Sequence, residues 1–201
     1  MMYSYNIEQA IRAATVLHNG QIRKGKSPYP FISHLIAVAF LLRDYTNDED
    51  IIISGLLHDT LEDTDYTPEE LEKDFGKKVR AIVEGVTDVQ KHERSQYTWK
   101  ERQEHYFKAL SLAPLESLFV SAADKIHNMR SIVEEYNDDT EAFGRQFGTS
   151  FDDVAVKYDK LNALLHDRLK SDIMNEFDHV HALFAAFIQN AKATHEKNHK
   201  K

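Results

Sequence analysis

The sequence predicts an all-α protein that folds as a single domain. Apolar residues recur along almost the whole chain at the 3.6-residue spacing of amphipathic helices. No segment alternates apolar and polar residues in the way that a half-buried strand would. A chain of 201 residues is long enough to bury the core of one such domain.

The N-terminal elements follow from this spacing. A first helix is predicted by four apolar residues on one face, Ile7, Ile11, Ala14 and Leu17. Asn6 and Gln9 are candidates for its capping pair. Residues 23–31, RKGKSPYPF, contain two of the four prolines and are predicted to form a loop. Helices are expected at 37–42 and at about 50–63.

The middle of the chain carries the strongest helix-start signal. Residues 67–70, TPEE, combine a threonine cap, a proline at the first helical position and a glutamate that closes a capping box. Gly76 predicts the end of that helix, and residues 79–86 are predicted to form the next helix. The polar stretch 88–102 is expected to be a mobile connection that enters a helix near Trp99.

The C-terminal part is expected to be helical with one irregular stretch. A long helix is predicted over 114–135, an irregular segment over 137–150, and two helices over 151–193. The charged residues 194–201 are expected to form a frayed tail. The domain would then comprise residues 1–193.

Composition excludes several classes of function. A net charge of −8 argues against broad electrostatic binding to nucleic acid or to an anionic membrane. A small polyanionic ligand is still compatible, because a local basic cluster would hold it. The longest apolar run, Leu35–Leu42, is too short to span a bilayer, and the N-terminus has no signal-peptide pattern. A cytoplasmic protein is expected.

The absence of cysteine restricts the chemistry of any metal site. Without cysteine there is no disulfide framework and no thiolate ligand. Metal ligands would therefore have to be histidine, aspartate or glutamate.

The stretch GLLHDTLEDT at 55–64 is the first candidate for such a site. A helical-wheel projection of residues 50–63 places His58, Asp59, Glu62 and Asp63 on the side opposite the leucines. Alone, this pattern is typical of an amphipathic helix with a solvated polar face. However, Ile51 and Ile52 project onto the same side as the carboxylates, which favours a buried helix whose polar side lines a cleft. A divalent cation would compensate carboxylates placed there.

Two further residues stand out in apolar surroundings. Asp124 lies in LFVSAADKI, where it would either pair with Lys125 or Arg130 or serve as a distant metal ligand. His34 lies in PFISHLIAVAF, where it would either be an ordinary hydrogen-bonded histidine or a ligand.

The order His34, His58-Asp59, Asp124 resembles the H…HD…D pattern of HD-domain metal-dependent phosphohydrolases. Three stretches resemble the hydrolase domain of Rel/SpoT alarmone enzymes more closely. HNGQIRKG at 18–25 is similar to HxGQxRK, LLHDTLEDT at 56–64 to LLHDTVEDT, and ADKIHNMR at 123–130 to ADRLHNMR. There are two departures: PFISHL replaces the usual PYIxHP, and the preceding loop is one residue longer. The chain is also too short for the synthetase and regulatory domains and looks like a stand-alone small hydrolase.

The resemblance implies a helical bundle of eight to ten helices that binds one divalent ion. His34, His58, Asp59 and Asp124 would be its ligands. The ligand types allow Mn²⁺, Fe²⁺ or Zn²⁺, and the resemblance implies Mn²⁺.

The resemblance also implies roles for the neighbouring residues. Glu62 and Asp63 would position and deprotonate the attacking water, the alternative being two surface acids at a helix end. Arg23 and Lys24 would contact the nucleotide, the alternative being an ordinary basic loop. Asn128 and Tyr158 would complete the substrate site.

The implied function is hydrolysis of (p)ppGpp to pyrophosphate and GDP or GTP. One alternative is a phosphatase acting on another nucleotide, such as the 2′-phosphate of NADPH or a nucleoside monophosphate. Another is a catalytically silent module that binds nucleotide. The expected partner is a small nucleotide rather than nucleic acid or a membrane, and the pattern does not indicate an oligomeric state.

Overall fold

The computed structural model describes residues 4–147 and 150–198, and these residues form ten α-helices. The helices are α1 Tyr5–Leu17, α2 Ile32–Tyr45, α3 Glu49–Leu57, α4 Thr60–Asp63, α5 Pro68–Glu84, α6 Trp99–Leu112, α7 Leu115–Tyr136, α8 Thr140–Phe147, α9 Phe151–Arg168 and α10 Ile173–Asn198. The only strand-like pairing in the described residues is an isolated antiparallel bridge between Ile22 and Pro30. The predicted all-α class is confirmed.

Helix starts agree with the sequence signals at α5 and α6 but not at α1. Thr67 and Thr98 each form a capping box, with Glu70 and Glu101 respectively. The start of α6 near Trp99 is therefore as predicted.

The predicted capping pair at α1 is wrong. Ser4 caps this helix, and its hydroxyl accepts a hydrogen bond from the backbone N–H of Ile7. Because the helix begins at Tyr5, Asn6 and Gln9 both lie inside it and cannot act as the cap.

The helix predicted at 50–63 is two helices, separated at His58 and Asp59. The His58 Nδ1–H donates to the carbonyl of Gly55 over 2.8 Å, and the Thr60 hydroxyl donates to the carbonyl of Leu57 over 2.6 Å. Side chains thus bond the carbonyls that a continuing helix would use, which favours a break. The break places His58 and Asp59 at a turn between α3 and α4.

Two predictions for the C-terminal region are wrong. The segment 137–150 was expected to be irregular, but it contains α8; residues 148–149 lie outside the described ranges. Asp139 accepts a hydrogen bond from the N–H of Ala142, and Phe143 is buried against Phe187. The expected tail 194–201 is also helical as far as Asn198, and residues 199–201 are outside the description.

The core is built around α3, whose residues 51–57 are all buried. This helix packs against α1, α2, α5 and α7, and α10 covers the other side of α7. The burial of α3 on all sides confirms the prediction, made from Ile51 and Ile52, that this helix is buried. No helix in the described part of the chain combines the length and apolar character needed to cross a membrane.

The break predicted at Gly76 is confirmed, because this residue has φ +90° within α5. A different constraint acts at Gly85, where the end of α5 meets the start of α7. A Cβ at Gly85 would lie 2.7 Å from the Cβ of Ala113, a methyl that cannot rotate away.

We expect Gly85→Ala to lower the free energy of unfolding by about 1–3 kcal/mol, the usual cost of overpacking. Gly144→Ala is the matched control, because among the described residues its Cβ would meet only Phe151 Cζ, at 3.4 Å, and helical alanine is favoured over glycine. Urea denaturation of both variants measures the difference. Equal stabilities would contradict the close contact at Gly85.

Candidate metal centre and substrate cleft

The four residues predicted as metal ligands converge on one point. His34 comes from the first turn of α2, His58 and Asp59 from the break before α4, and Asp124 from the middle of α7. His34 Nε2 lies 3.2 Å from Asp124 Oδ1 and 3.6 Å from Asp59 Oδ2. His58 Nε2 lies 3.2 Å from Asp59 Oδ2 and 3.6 Å from Asp124 Oδ1. His34, His58 and Asp59 offer ligand atoms within 4.8 Å of one another.

The donor set fits a divalent cation. Because His58 Nδ1 donates to a carbonyl, its Nε2 carries the lone pair in the neutral ring. Within the part of the chain that the structure describes, that Nε2 is buried without a hydrogen-bond partner, and it faces two carboxylates. Burial alone would lower the pKa of His58, but Asp59 and Asp124 outweigh it and raise that pKa well above its usual value. The site therefore attracts positive charge, and a metal ion would satisfy all its donors.

Asp124 is held ionised by its neighbours. Burial would raise its pKa, but Lys125 and the two histidines hold it well below the usual range. Lys125 forms an ion pair with Asp124 Oδ2, and Asn128 Nδ2 donates to Asp124 Oδ1 over 2.6 Å. This carboxylate is thus both charged and oriented toward the centre.

His127 orients His34 and was not assigned a role from the sequence. The two Nδ1 atoms are 2.9 Å apart, so one ring must donate to the other. If His34 donates, its Nε2 is free to face the centre. Burial, His34 and Arg23 lower the pKa of His127 to about 4, which keeps its ring neutral and able to accept. Its position three residues after Asp124 on α7 is the signal that could have revealed it.

We expect His127→Phe to weaken binding of a divalent metal ion by about 10- to 100-fold, the usual effect of removing a partner that orients a ligand. His105→Phe, at an exposed histidine on α6, is the control and should keep the parent affinity. Isothermal titration of metal-free protein measures both. An unchanged dissociation constant in His127→Phe would show that His34 needs no such partner.

Glu62 and Asp63 extend from α4 beside the centre. Glu62 Oε1 accepts the backbone N–H of Asp88 over 2.8 Å, and burial together with the carboxylates of Asp88 and Asp59 raises the pKa of Glu62 to about 8. Asp63 Oδ1 accepts from Arg94 over 2.7 Å, while burial and Asp59 raise its pKa. A carboxylate with a raised pKa in a cleft is suited to accept a proton near neutral pH.

This raised pKa predicts a pH dependence of stability in metal-free protein. Folded Glu62 keeps its proton up to about pH 8, whereas the unfolded residue loses it near its ordinary pKa. Its contribution to stability is therefore full at low pH and falls as the pH rises toward 8. Because glutamine does not titrate, the free energy of unfolding of Glu62→Gln should rise relative to that of the parent as the pH increases from 5 to 8, as measured by denaturation with a chelator present. A difference between the two proteins that does not change with pH would contradict the raised pKa.

The cleft beside the centre has two lobes that share nine lining residues: Lys24, Asp59, Glu62, Arg94, Trp99, Arg102, Asp124, Lys125 and Lys157. The larger lobe has a volume of about 820 Å³ and is lined by all four predicted substrate residues, Arg23, Lys24, Asn128 and Tyr158. Arg23 donates to Asn128 Oδ1 and lies 5.8 Å from the centroid of the Phe31 ring. The smaller lobe, about 290 Å³, is lined by residues from α4, α6, α7 and α9.

The loop 23–31 forms one wall of the larger lobe and is fixed on both sides. Its two arms are joined by the hydrogen bond from Arg23 N–H to the carbonyl of Tyr29 over 2.9 Å. The N–H of Lys26 donates to Glu135 Oε2 on α7 over 2.7 Å. A Cβ at Gly25 would displace this carboxylate, so its present position beside the loop depends on glycine.

Sequence reasoning missed several residues of the cleft. Asp88, Arg94 and Arg102 lie in the polar stretch that the sequence predicts to be a connection, and the sequence indicates no role for Lys157. Lys125 is predicted only as a possible partner of Asp124, and it also lines the cleft. These charged side chains come from separate elements, so no spacing within one helix relates them.

Comparisons with known proteins show the family to which the chain belongs. A family profile described as HD domain matches residues 10–159. A probable guanosine-3′,5′-bis(diphosphate) 3′-pyrophosphohydrolase of Synechocystis sp. is 43% identical over 119 residues, which are 58% of this chain and 15% of that protein. The bifunctional (p)ppGpp synthase/hydrolase SpoT of Escherichia coli is 35% identical over 129 residues, 63% of this chain and 18% of its own length. The chain thus spans less than a fifth of these curated relatives.

A solved structure shows the same fold. It belongs to a metazoan ortholog of SpoT, described as hydrolysing ppGpp and acting in starvation responses. The TM-score is 0.74 with 24% sequence identity, and the match covers 90% of this chain and 96% of the other. Because the profile matches most of the chain, this protein belongs to the HD-domain family.

Proposed function

We propose that the chain is a cytoplasmic, metal-dependent hydrolase that converts (p)ppGpp to pyrophosphate and GDP or GTP. The observation that carries the proposal is the position of Glu62, which lies beside the four converging ligands at the junction of both lobes. Relatives named for this activity match 58% and 63% of this chain.

The proposed cofactor is a single Mn²⁺ ion on His34, His58, Asp59 and Asp124. Nitrogen and carboxylate donors also suit Fe²⁺ and Zn²⁺, and the family likeness favours Mn²⁺. When bound, a divalent ion would polarise a phosphoryl oxygen and make water easier to deprotonate.

The residues of α4 would handle the proton. Water adds to the phosphorus attached to the 3′-oxygen of the ribose, the bond from phosphorus to that oxygen breaks, and pyrophosphate leaves. Glu62 accepts the proton of the attacking water, since its pKa is near neutrality. Asp63, held by Arg94, orients the same water. The 3′-oxygen takes up a proton to complete GDP or GTP.

The larger lobe would hold the nucleoside. Arg23 lies at one wall with its guanidinium near Phe31, where a base can stack on it. Asn128 bonds both Arg23 and Asp124 and so lies between the nucleoside and the metal centre. Tyr158 is buried behind the lobe against Phe184, and Lys24 is exposed at the junction of both lobes.

Product analysis tests the proposal. The Mn²⁺-loaded protein is incubated with ppGpp, and phosphate is measured colorimetrically with and without added inorganic pyrophosphatase. Phosphate should appear only when the pyrophosphatase is present. Phosphate without it would indicate a phosphatase for another nucleotide, and metal-dependent binding without turnover would indicate a silent nucleotide-binding module. Glu62→Gln prepared in parallel controls for a contaminating hydrolase.

A further inference from the structure

An apolar groove lies between α1 and α2, outside the catalytic cleft. Both helices pack on α3, and they leave between them a space of about 340 Å³. Its floor is formed by Ile52 and Leu56 of α3, which are both buried. None of the described residues that line this groove also lines a lobe of the cleft. The proposed hydrolase function therefore does not account for the groove.

The walls of the groove carry exposed apolar side chains. Ile7 and Ile11 line it from α1, and Ile36 and Phe40 line it from α2. Phe40 is 61% exposed, although it lies in the middle of a helix that is largely buried. Exposed apolar surface around a groove is typical of a binding surface, and aromatic residues are enriched at the centres of protein interfaces. Phe40 is therefore the residue that a partner would cover with the greatest gain.

Two opposite charges on opposite walls indicate which partner fits the groove. Glu8 lines it from α1, where it also pairs with Arg12, and Arg43 lines it from α2. Within the described residues, Arg43 has no carboxylate oxygen within 4.0 Å. In a two-fold interface, if residue i of one copy contacts residue j of the other, then j also contacts i. Glu8 of each copy can therefore face Arg43 of the other, and the groove is complementary in charge to itself.

We propose that two copies of this chain associate about a two-fold axis through the α1–α2 groove, with Phe40 of each copy packed against the groove of the other and Glu8 facing Arg43 twice across the interface. A second copy matches both charges of the groove. A fatty acid would match only Arg43, because its carboxylate would enter a groove that Glu8 also lines. The proposal is independent of the hydrolase function, since no residue of the cleft takes part in it.

Two charge-reversal variants, Glu8→Arg and Arg43→Glu, test the two-fold arrangement. In each variant alone, both pairs across the interface have like charges, so self-association should weaken about tenfold or more. In an equimolar mixture both pairs are opposite again, so the two variants should associate with each other about as strongly as the parent does with itself. Sedimentation at about 0.15 M salt measures this, because salt screens the repulsion between chains of net charge −8. A mixture that associates no better than either variant alone would overturn the proposed interface.

A third variant tests the apolar part of the interface. Phe40→Asp should weaken self-association of the otherwise unchanged chain about 30-fold or more, the usual effect of removing a central aromatic residue. Leu183→Asp is the matched control, because it makes a similar change at an exposed residue of α10 outside the groove, and it should associate like the parent. Thermal unfolding of each variant checks the fold. If Phe40→Asp does not fold, the mixture of the two charge variants decides the proposal.

The parent protein gives the remaining outcomes. A dimer that Phe40→Asp dissociates and Leu183→Asp does not supports the proposal. A parent that stays monomeric at a concentration on the order of 1 mM overturns it. Binding of the apolar dye anilinonaphthalene sulfonate to that monomer, lost in Phe40→Asp, would then assign the groove to an apolar small molecule. A dimer that Phe40→Asp leaves unchanged also overturns the proposal, because its interface must lie elsewhere. None of these measurements needs a substrate, so they are unaffected if ppGpp is not hydrolysed.

Discussion

Replacing Glu62 with glutamine is expected to lower kcat for ppGpp hydrolysis by about 10²- to 10⁴-fold, the usual contribution of a general base. Glutamine keeps the size of the side chain and can still accept the N–H of Asp88. It cannot take up a proton. Because Glu62 is not among the four predicted metal ligands, Mn²⁺ affinity should stay within a few-fold of the parent value.

Steady-state kinetics and metal titration on the same preparation test this expectation. Glu104→Gln is the matched control, since it makes the same change at an exposed residue of α6 and should retain parent kcat. An active Glu62→Gln would assign the proton transfer to another group. A variant that loses Mn²⁺ instead would show that Glu62 belongs to the metal site.

Asp124→Asn is expected to abolish detectable hydrolysis and to destabilise the protein as well. The first effect follows from losing a charged ligand of the proposed ion. The second follows from Lys125, whose ammonium pairs with Asp124 at a site where both side chains are largely enclosed. Leaving one charge of such a pair unmatched costs about 3–5 kcal/mol, measured as the free energy of unfolding of the metal-free protein.

The double variant Asp124→Asn with Lys125→Met separates the two effects. Removing the unmatched ammonium should recover most of the lost stability, because methionine fills similar space without charge. Activity should remain absent, since the ligand is still missing. Recovery of hydrolysis in the double variant would contradict the assignment of Asp124 to the metal centre.

The parts of the site that the sequence predicted are those governed by local patterns. His58 and Asp59 follow an apolar run that marks a buried helix, and Asp124 is a carboxylate in a helix of small residues. Their convergence with His34 is a prediction about spatial position that the fold bears out. Their roles remain proposals, as do those of Glu62 and Asp63.

The parts that the sequence did not predict depend on side chains that act across elements. The break at His58 arises from hydrogen bonds between side chains and backbone carbonyls, and the spacing of apolar residues cannot predict such bonds. The partnership of Glu62 with Asp88, and the enclosure of Lys157 beside Lys125, arise only when α4, α7 and α9 pack together. Likewise α8 has few apolar residues, and its burial of Phe143 is a tertiary contact.

The break between α3 and α4 also bears on how such a protein can diverge. His58 is anchored to the buried α3, whereas Glu62 and Asp63 lie on the separate single turn α4, which ends where the Thr64 hydroxyl donates to the carbonyl of Thr60. In the proposed assignment, ion binding and proton transfer therefore depend on different elements. Substitutions on α4 could then change the chemistry while the proposed ligands stay in place, so that a lineage could change one property without first losing the other.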